Sequence, residues 1–238
     1  MTEILPTIAV IGGTGKEGAG LALRWANAGY SIIIGSRDAL RASEKAAEIN
    51  AAIGAARVSG MSNYDAAAAA QIVVLSVPYD GHRAMVESLK PAVQGKLMID
   101  VTVPMNPPEI RTVHVPEGKS ACMEAQAILG PNVKVVAAFQ NVSAVHLNKA
   151  EHGVDCDVLV CGDDMAAKEQ VISLIEAIGL RGIDAGVLAN AVAVEALTPV
   201  LLYINKRYKV KGAGIRITGF DGRPTAAVVP TSESAPHA

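Results

Sequence analysis

The chain has 238 residues, with 21 Lys and Arg against 23 Asp and Glu, a formal charge of −2. That near balance lacks the broad positive field of a nucleic-acid binder, and aromatics at 3% leave few stacking platforms for single strands. Hydrophobic residues make up 50% and charged residues 18%, rich in Ala, Val and Ile, a composition that points to helices packed on a buried sheet.

Thr7–Ile11 is a short run rich in β-branched residues and reads as a buried strand. The glycine cluster Gly12–Gly18 follows, and Ala19–Asn27 reads as a helix stopped by Gly29. Ser31–Ile34 is a second strand. Asp38–Ile53 is a helix ended by Gly54, with Asp38 as its N-cap. Asn63–Ala70 is a short alanine-rich helix, Ile72–Val77 a strand, Gly81–Leu89 a helix and Lys96–Val101 a strand. Ser120–Leu129 is a helix and Val133–Phe139 a strand. Alternation of this kind, with nearly continuous apolar strands, predicts an α/β fold: a Rossmann-type, doubly wound parallel sheet.

The remainder is shorter. Asp157–Cys161 and Arg181–Asp184 read as strands, Met165–Ile178 and Ala189–Arg207 as helices, and Gly214–Thr218 as a last strand-like piece. The expected organisation is a nucleotide-binding Rossmann domain over 1–150, a small C-terminal α/β domain over 151–218 and a mobile tail over 219–238. The apolar stretch Val187–Ile204 contains Asn190, Glu195 and Pro199, which argues against a membrane span and for a subunit interface, giving a homodimer. Cys122, Cys156 and Cys161 form no CxxC pair and no metal-ligand spacing, so they read as reduced thiols of a cytoplasmic protein without a metal. Met1–Pro6 carries Glu3 and runs into a strand, unlike a secretory leader.

Gly13-x-Gly15-x-x-Gly18 follows a strand and opens a helix, the context that turns a weak GxGxxG match into a dinucleotide site. Its glycines permit the tight turn, the approach of a pyrophosphate and close helix–strand packing, while the helix N-terminus offers free N–H groups to phosphates. An NAD site places an acid at the end of the second strand; here Ser36 and Arg37 stand there, with Arg41 one helical turn on. A hydroxyl and guanidinium groups suit a 2′-phosphate, so NADP(H) is the expected nucleotide. Val77-Pro78-Tyr79 ends a sheet strand and could wall the nicotinamide pocket. Gln140-Asn141-Val142-Ser143-Ala144 follows another and could touch the nicotinamide or a second substrate, with a helix N-cap at Asn141 or Ser143 an equal alternative on spacing alone. No GxSxG, HExxH or paired carboxylates occur, and His82, His114, His146, His152 and His237 are scattered. Hydride transfer between two bound cofactors fits that lack of acid–base groups, since positioning supplies most of the catalysis.

Read in order, Ala9-Val10-Ile11-Gly12-Gly13-Thr14-Gly15-x-x-Gly18, Gly35-Ser36-Arg37, Ser76-Val77-Pro78-Tyr79, the turn Phe139–Ala144, Cys161-Gly162-Asp163-Asp164 and Asp184-Ala185-Gly186 resemble the NADPH-dependent reductases of coenzyme F420. The likeness covers about Ile8 to Ile217. It implies hydride transfer between nicotinamide C4 and deazaflavin C5, with small-molecule cofactors as substrates and neither nucleic acid nor membrane as partner. It implies that Thr14, Gly15, Lys16 and Glu17 hold phosphates, that Ser36 and Arg37 hold the 2′-phosphate, that Val77 and Pro78 back the nicotinamide, and that Gln140, Asn141 and Val142 meet the deazaflavin. By the same likeness Gln140 stands where archaeal members carry histidine, and Ser143 where they carry proline. A flavin, imine or small carbonyl acceptor is the alternative, the last two needing a proton donor such as Tyr79, His82 or His146. A non-catalytic NADP-binding sensor is the other.

Overall fold

The computed structural model describes residues 5–148 and 154–219. Eight strands, β1 (Ile8–Ile11), β2 (Ile32–Ser36), β3 (Val58–Ser62), β4 (Ile72–Leu75), β5 (Leu97–Asp100), β6 (Lys134–Ala137), β7 (Asp157–Gly162) and β8 (Arg181–Asp184), form one sheet in the order β3-β2-β1-β4-β5-β6-β7-β8. Every adjacent pair is parallel except β6 and β7. The helices are α1 (Lys16–Asn27), α2 (Ala39–Ile53), α3 (Asn63–Ala69), α4 (His82–Leu89), α5 (Ala121–Leu129), α6 (Ala144–Leu147), α7 (Met165–Glu176) and α8 (Ala191–Tyr208).

Side chains alternate across a strand, and the central strands are apolar on both faces, so both faces must be covered. Ile8 and Val10 enter one core with Ile32, Ile34, Ile72, Val74 and Ile99, under Leu21 and Trp25 of α1 and Val171 and Ile175 of α7. Ala9 and Ile11 enter the other with Val73, Leu75 and Met98, under Ala66 of α3, Val86 and Leu89 of α4, and Cys122 and Ala125 of α5. The chain is therefore doubly wound, as its pattern predicts.

Local signals set most of the helix ends. Asp38 caps α2, its carboxylate accepting from the Leu40 and Arg41 amides, and Gly54 stops that helix at φ 66°. Ser62, Ser120, Ser143 and Asp164 cap α3, α5, α6 and α7. Two expectations need correction. β3 was not expected, because Val58-Ser59-Gly60-Met61-Ser62 lacks an apolar run; at the sheet edge it pairs only with β2, and Gly60 lies where a Cβ would strike the Ala42 backbone of α2. Gly214–Thr218 forms no strand. Ile215 C=O accepts from the Asp157 amide at 2.8 Å, the Ile217 amide donates to the Asp157 carboxylate at 2.6 Å, and Arg181 donates to Ile217 C=O, so side chains hold the segment where a ladder does not. The boundary expected at residue 150 and the expected tail from Phe220 onward lie outside the described residues.

Two residues of α1 tie the early and late parts of the chain. The buried Arg24 guanidinium donates to Leu147 C=O at 3.0 Å, His146 C=O at 2.8 Å and Ile178 C=O at 3.4 Å. Trp25 donates its indole N–H to Leu174 C=O at 2.9 Å and meets Phe139 edge-on at 5.7 Å between ring centres.

Glu195 of α8 performs a similar task on the other face. It is 1% exposed and accepts from the Ala121 and Cys122 amides, at 2.8 and 3.1 Å, at the start of α5. Those amides have no intrahelical acceptor, so the carboxylate from α8 satisfies them. Burial pushes its carboxyl up to about 7, against the opposing pull of these hydrogen bonds. Its contribution is present in full below the ordinary carboxylate range and is lost as pH rises through about 7. Glu195→Ala is expected to cost about 2–4 kcal/mol near pH 4, because two buried amides lose their acceptor. The loss should shrink by about 3 kcal/mol by pH 8, where the native carboxylate is itself a buried charge. Thermal unfolding of both proteins across that range checks both statements.

Candidate functional site

The site lies outside the carboxyl ends of the central strands, where β1 and β4 lead out in opposite senses across the sheet. The tight turn after β1 is made by Gly12, at φ 71°. A Cβ there would come within 2.3 Å of Ser76 C=O, so the loops after β1 and β4 touch backbone to backbone. Gly18 performs the matching task for α1: a Cβ would lie 2.9 Å from Gly13 Cα. Gly15 precedes α1 without a capping side chain, which leaves the first-turn amides of Lys16, Glu17 and Gly18 facing outward from the helix start.

Two cavities adjoin along this seam and share Gly15, Ser76, Val77 and Pro78. The first, about 760 Å³, runs past Thr14, Ser36, Arg37, Arg41 and Asn63. Ser36 is buried and its Oγ accepts from the Asp38 amide at 3.2 Å, so its hydroxyl hydrogen is free for a ligand. Asp38 lines the same cavity with its carboxylate engaged by the Leu40 and Arg41 amides as the cap of α2, and β2 itself ends in Ser36 rather than in the acid of an NAD site. The guanidinium groups of Arg37 and Arg41 lie exposed at the cavity, and among the described residues neither is engaged in an ion pair.

The second cavity, about 350 Å³, is lined by Lys16, Glu17, Tyr79, Thr102, Met105, Phe139, Gln140, Val142 and Thr198. Phe139 holds φ 75°, an uncommon conformation for a bulky side chain, and so sends the chain sharply from β6 into Gln140. Gln140 donates through Nε2 to Asp100 C=O at 2.7 Å, while its Oε1 is buried without a partner. Thr198 of α8 donates to Gln140 C=O at 2.6 Å. Glu17 also has a buried, unpartnered Oε1, and burial pushes its carboxyl up to about 8.

Behind this wall sits a buried polar group that sequence reading missed. His82 Nε2 meets Asp100 Oδ2 at 2.7 Å with both side chains fully enclosed. Asp100 Oδ1 accepts from the Thr102 amide at 3.0 Å. Burial pulls the His82 imidazole down, but the bond to Asp100 and its charge outweigh that and hold it above the ordinary value. The available signal was the acid in Leu97-Met98-Ile99-Asp100, at a strand end pointing to the crevice.

Of the expected site residues, the structure gathers Thr14, Gly15, Lys16, Glu17, Ser36, Arg37, Arg41, Ser76, Val77, Pro78, Gln140 and Val142 on the two cavities. Gly13 and Gly18 pack beneath the turn. Asn141, Ser143 and Ala144 lie off the walls. Asn141 donates to Asp157 C=O at 2.6 Å, and Ser143 caps α6, which starts at Ala144. Sequence reading missed Asn63, Thr102, Met105 and Thr198, whose segments carry no motif. The candidate proton donors are all engaged. Tyr79 donates to Glu124 at 3.0 Å and is pushed up to about 12 by burial and by Glu124; His146 bonds Gly212 C=O at 2.7 Å; His82 is sealed.

Comparison with known proteins agrees with this geometry. Residues 7–104 match the family described as NADP oxidoreductase, coenzyme F420-dependent. The F420-dependent NADP reductase of Methanothermobacter thermautotrophicus is 43% identical over 218 residues, 89% of this chain and 94% of that protein. That of Methanocaldococcus jannaschii is 43% identical over 90% of this chain and 99% of its own length. A crystal structure from Arthrobacter sp. FB24, described as a candidate F420-dependent NADP-reductase, superposes with TM-score 0.76 at 26% identity, covering 90% of this chain and 99% of that one. The chain belongs to the family of F420-dependent NADP reductases.

Proposed function

We propose that the chain is an oxidoreductase that passes a hydride between NADP(H) and coenzyme F420. The observation that carries the reading is the pair of adjoining cavities, with free guanidinium groups at one end and a room walled by Val77, Pro78 and Gln140 at the other. The family membership supplies the identity of the two substrates.

The residues fit such a pair. The backbone contact at Gly12 and the open Gly15 give a pyrophosphate room beside the first-turn amides of α1. Ser36, Arg37 and Arg41 line one cavity and would take the 2′-phosphate, the hydroxyl donating and the guanidinium groups pairing with it. Val77 and Pro78 form a flat apolar wall for the nicotinamide, and Pro78 presents no N–H there. The orphaned Oε1 of Gln140 would accept a hydrogen bond from an N–H of the second ring system. Bound together, the two ring systems supply the redox chemistry; the chain orients them and excludes water. Tyr79, His82 and His146, the donors considered for an imine or carbonyl acceptor, are engaged elsewhere, and the choice of a deazaflavin rests on the family.

We read the enzyme as a cytoplasmic homodimer of Rossmann units 1–150, each followed by a smaller unit 151–218. Three free cysteines, all buried, suit a reducing compartment. By length and composition alone Leu188–Tyr208 could cross a membrane. Glu195, however, is buried against α5, and Thr198 donates to Gln140 C=O, which docks this helix on α5 and the turn after β6. Val187, Val200 and Tyr203 remain exposed for a second copy. Light scattering should return twice the monomer mass; the monomer value would refute the dimer.

The direct test mixes the protein with NADPH and oxidised coenzyme F420 and follows the deazaflavin absorbance, with NADH as control. Rapid loss with NADPH alone is the expected result, and no loss with either would overturn the acceptor. Arg37→Ala should raise KM for NADPH by about 10–100-fold, the worth of one charge-assisted hydrogen-bond pair, and leave NADH nearly unchanged. Equal losses with both nucleotides would make Arg37 structural.

A further inference from the structure

Glu17 is an unusual residue for a phosphate-binding loop. Its amide faces outward at the start of α1, but the residue does not line the cavity of Ser36, Arg37 and Arg41; it lines the smaller one, with Val77, Pro78 and Gln140. Its Oε1 is shut from solvent with no hydrogen-bond partner. An isolated buried carboxylate is costly, so burial pushes the group up to about 8 and favours its protonated form.

Its surroundings leave that state sensitive to any charge that enters the cavity. The titratable groups about it are Lys16 on its own helix, Tyr79 and Asp80 across the cavity, and His146 on α6, which packs against α1. Tyr79 is committed to Glu124 and His146 to Gly212 C=O. Burial is what raises the Glu17 carboxyl.

Resting on the reading that the smaller cavity takes the nicotinamide, we propose that Glu17 is a charge-balancing carboxyl for that ring: it keeps its proton beside the neutral reduced ring and releases it beside the cationic oxidised ring. The chemistry is balanced. Loss of hydride from NADPH leaves a positive ring; the hydride and its electron pair go to the deazaflavin, which takes one proton from solvent. The Glu17 proton leaves to solvent at the cavity mouth, so a carboxylate faces the positive ring in low dielectric. The reverse reaction returns it. The carboxyl therefore favours the oxidised nucleotide increasingly as pH rises, and ties the direction of hydride transfer to proton concentration.

The test needs no acceptor and no turnover. NADP+ and NADPH are titrated separately into the whole protein by calorimetry at pH 8, in two buffers of different ionisation enthalpy, to count protons. Both nucleotides carry the same phosphates, so the difference between them isolates the ring charge. The expected result is that NADP+ binding releases roughly half a proton more than NADPH binding. Its Kd should tighten on the order of tenfold from pH 6.5 to 9, with NADPH changing far less. Glu17→Gln should abolish both differences, and Glu17→Leu provides a second variant should the amide misfold. Equal proton counts for the two nucleotides in the native protein, or a native difference retained in either variant, would overturn the proposal. Failure of both nucleotides to bind would overturn the nucleotide reading and this inference with it. A native proton difference without reduction of coenzyme F420 would remove the acceptor and leave Glu17's role supported.

Discussion

The site is organised by one close approach, the backbone of Gly12 against the carbonyl of Ser76. No side chain fits between them, so the loops leaving β1 and β4 are pressed into a single floor. Gly15, Ser76, Val77 and Pro78 on that floor belong to both cavities, which makes a continuous path from the Ser36 end to the Gln140 wall. Parallel strands impose the arrangement: every central carboxyl end points the same way, and β1 and β4 diverge to opposite sides.

Behind the floor the fold tolerates an unusual concentration of buried polar groups. Asp100 connects most of them, taking His82 on one oxygen, the Thr102 amide on the other, and Gln140 on its carbonyl. A wholly apolar packing would leave the amides at the ends of β5 and α5 without acceptors; Asp100 and Glu195 satisfy them in low dielectric, where such bonds are strong and their loss costly. Among the described residues four buried atoms lack a partner: Oε1 of Glu17 and Oε1 of Gln140, in residues that line the smaller cavity, and Nδ1 of His82 and Oδ1 of Asn141, which lie off it. The first two are placed where a ligand can complete them.

The sheet, its winding and the nucleotide end of the site were legible in the sequence because they depend on local pattern. β-branched runs, glycine spacing and the Asp38 cap act over a few residues. What stayed hidden depends on contacts between distant segments. β3 owes its existence to β2 and α2, not to Val58–Ser62 themselves. Gly214–Thr218 looked like a strand, yet Asp157 and Arg181 hold it by side-chain bonds. At the Gln140 turn, only the fold distinguishes Gln140 and Val142, on the cavity, from Asn141, turned to β7, and Ser143, spent on a helix cap. His82 looked solitary because Asp100 is 18 residues away in sequence.

The fork of Arg24 has a consequence for how the enzyme can move. It grips α6 and the end of the α7 segment at once, and Trp25 fastens α7 beside it. Swinging the late strands away from the nucleotide helix would strip a buried guanidinium of its three carbonyls, a cost no ordinary thermal fluctuation meets. Among the described residues these bonds hold α1 to α6 and to the end of the α7 segment, so the spacing across the smaller cavity is set at folding, before any substrate arrives. The rest of that cavity's wall comes from short connecting segments, at Tyr79 and Asp80 and at Val103, Met105 and Pro107.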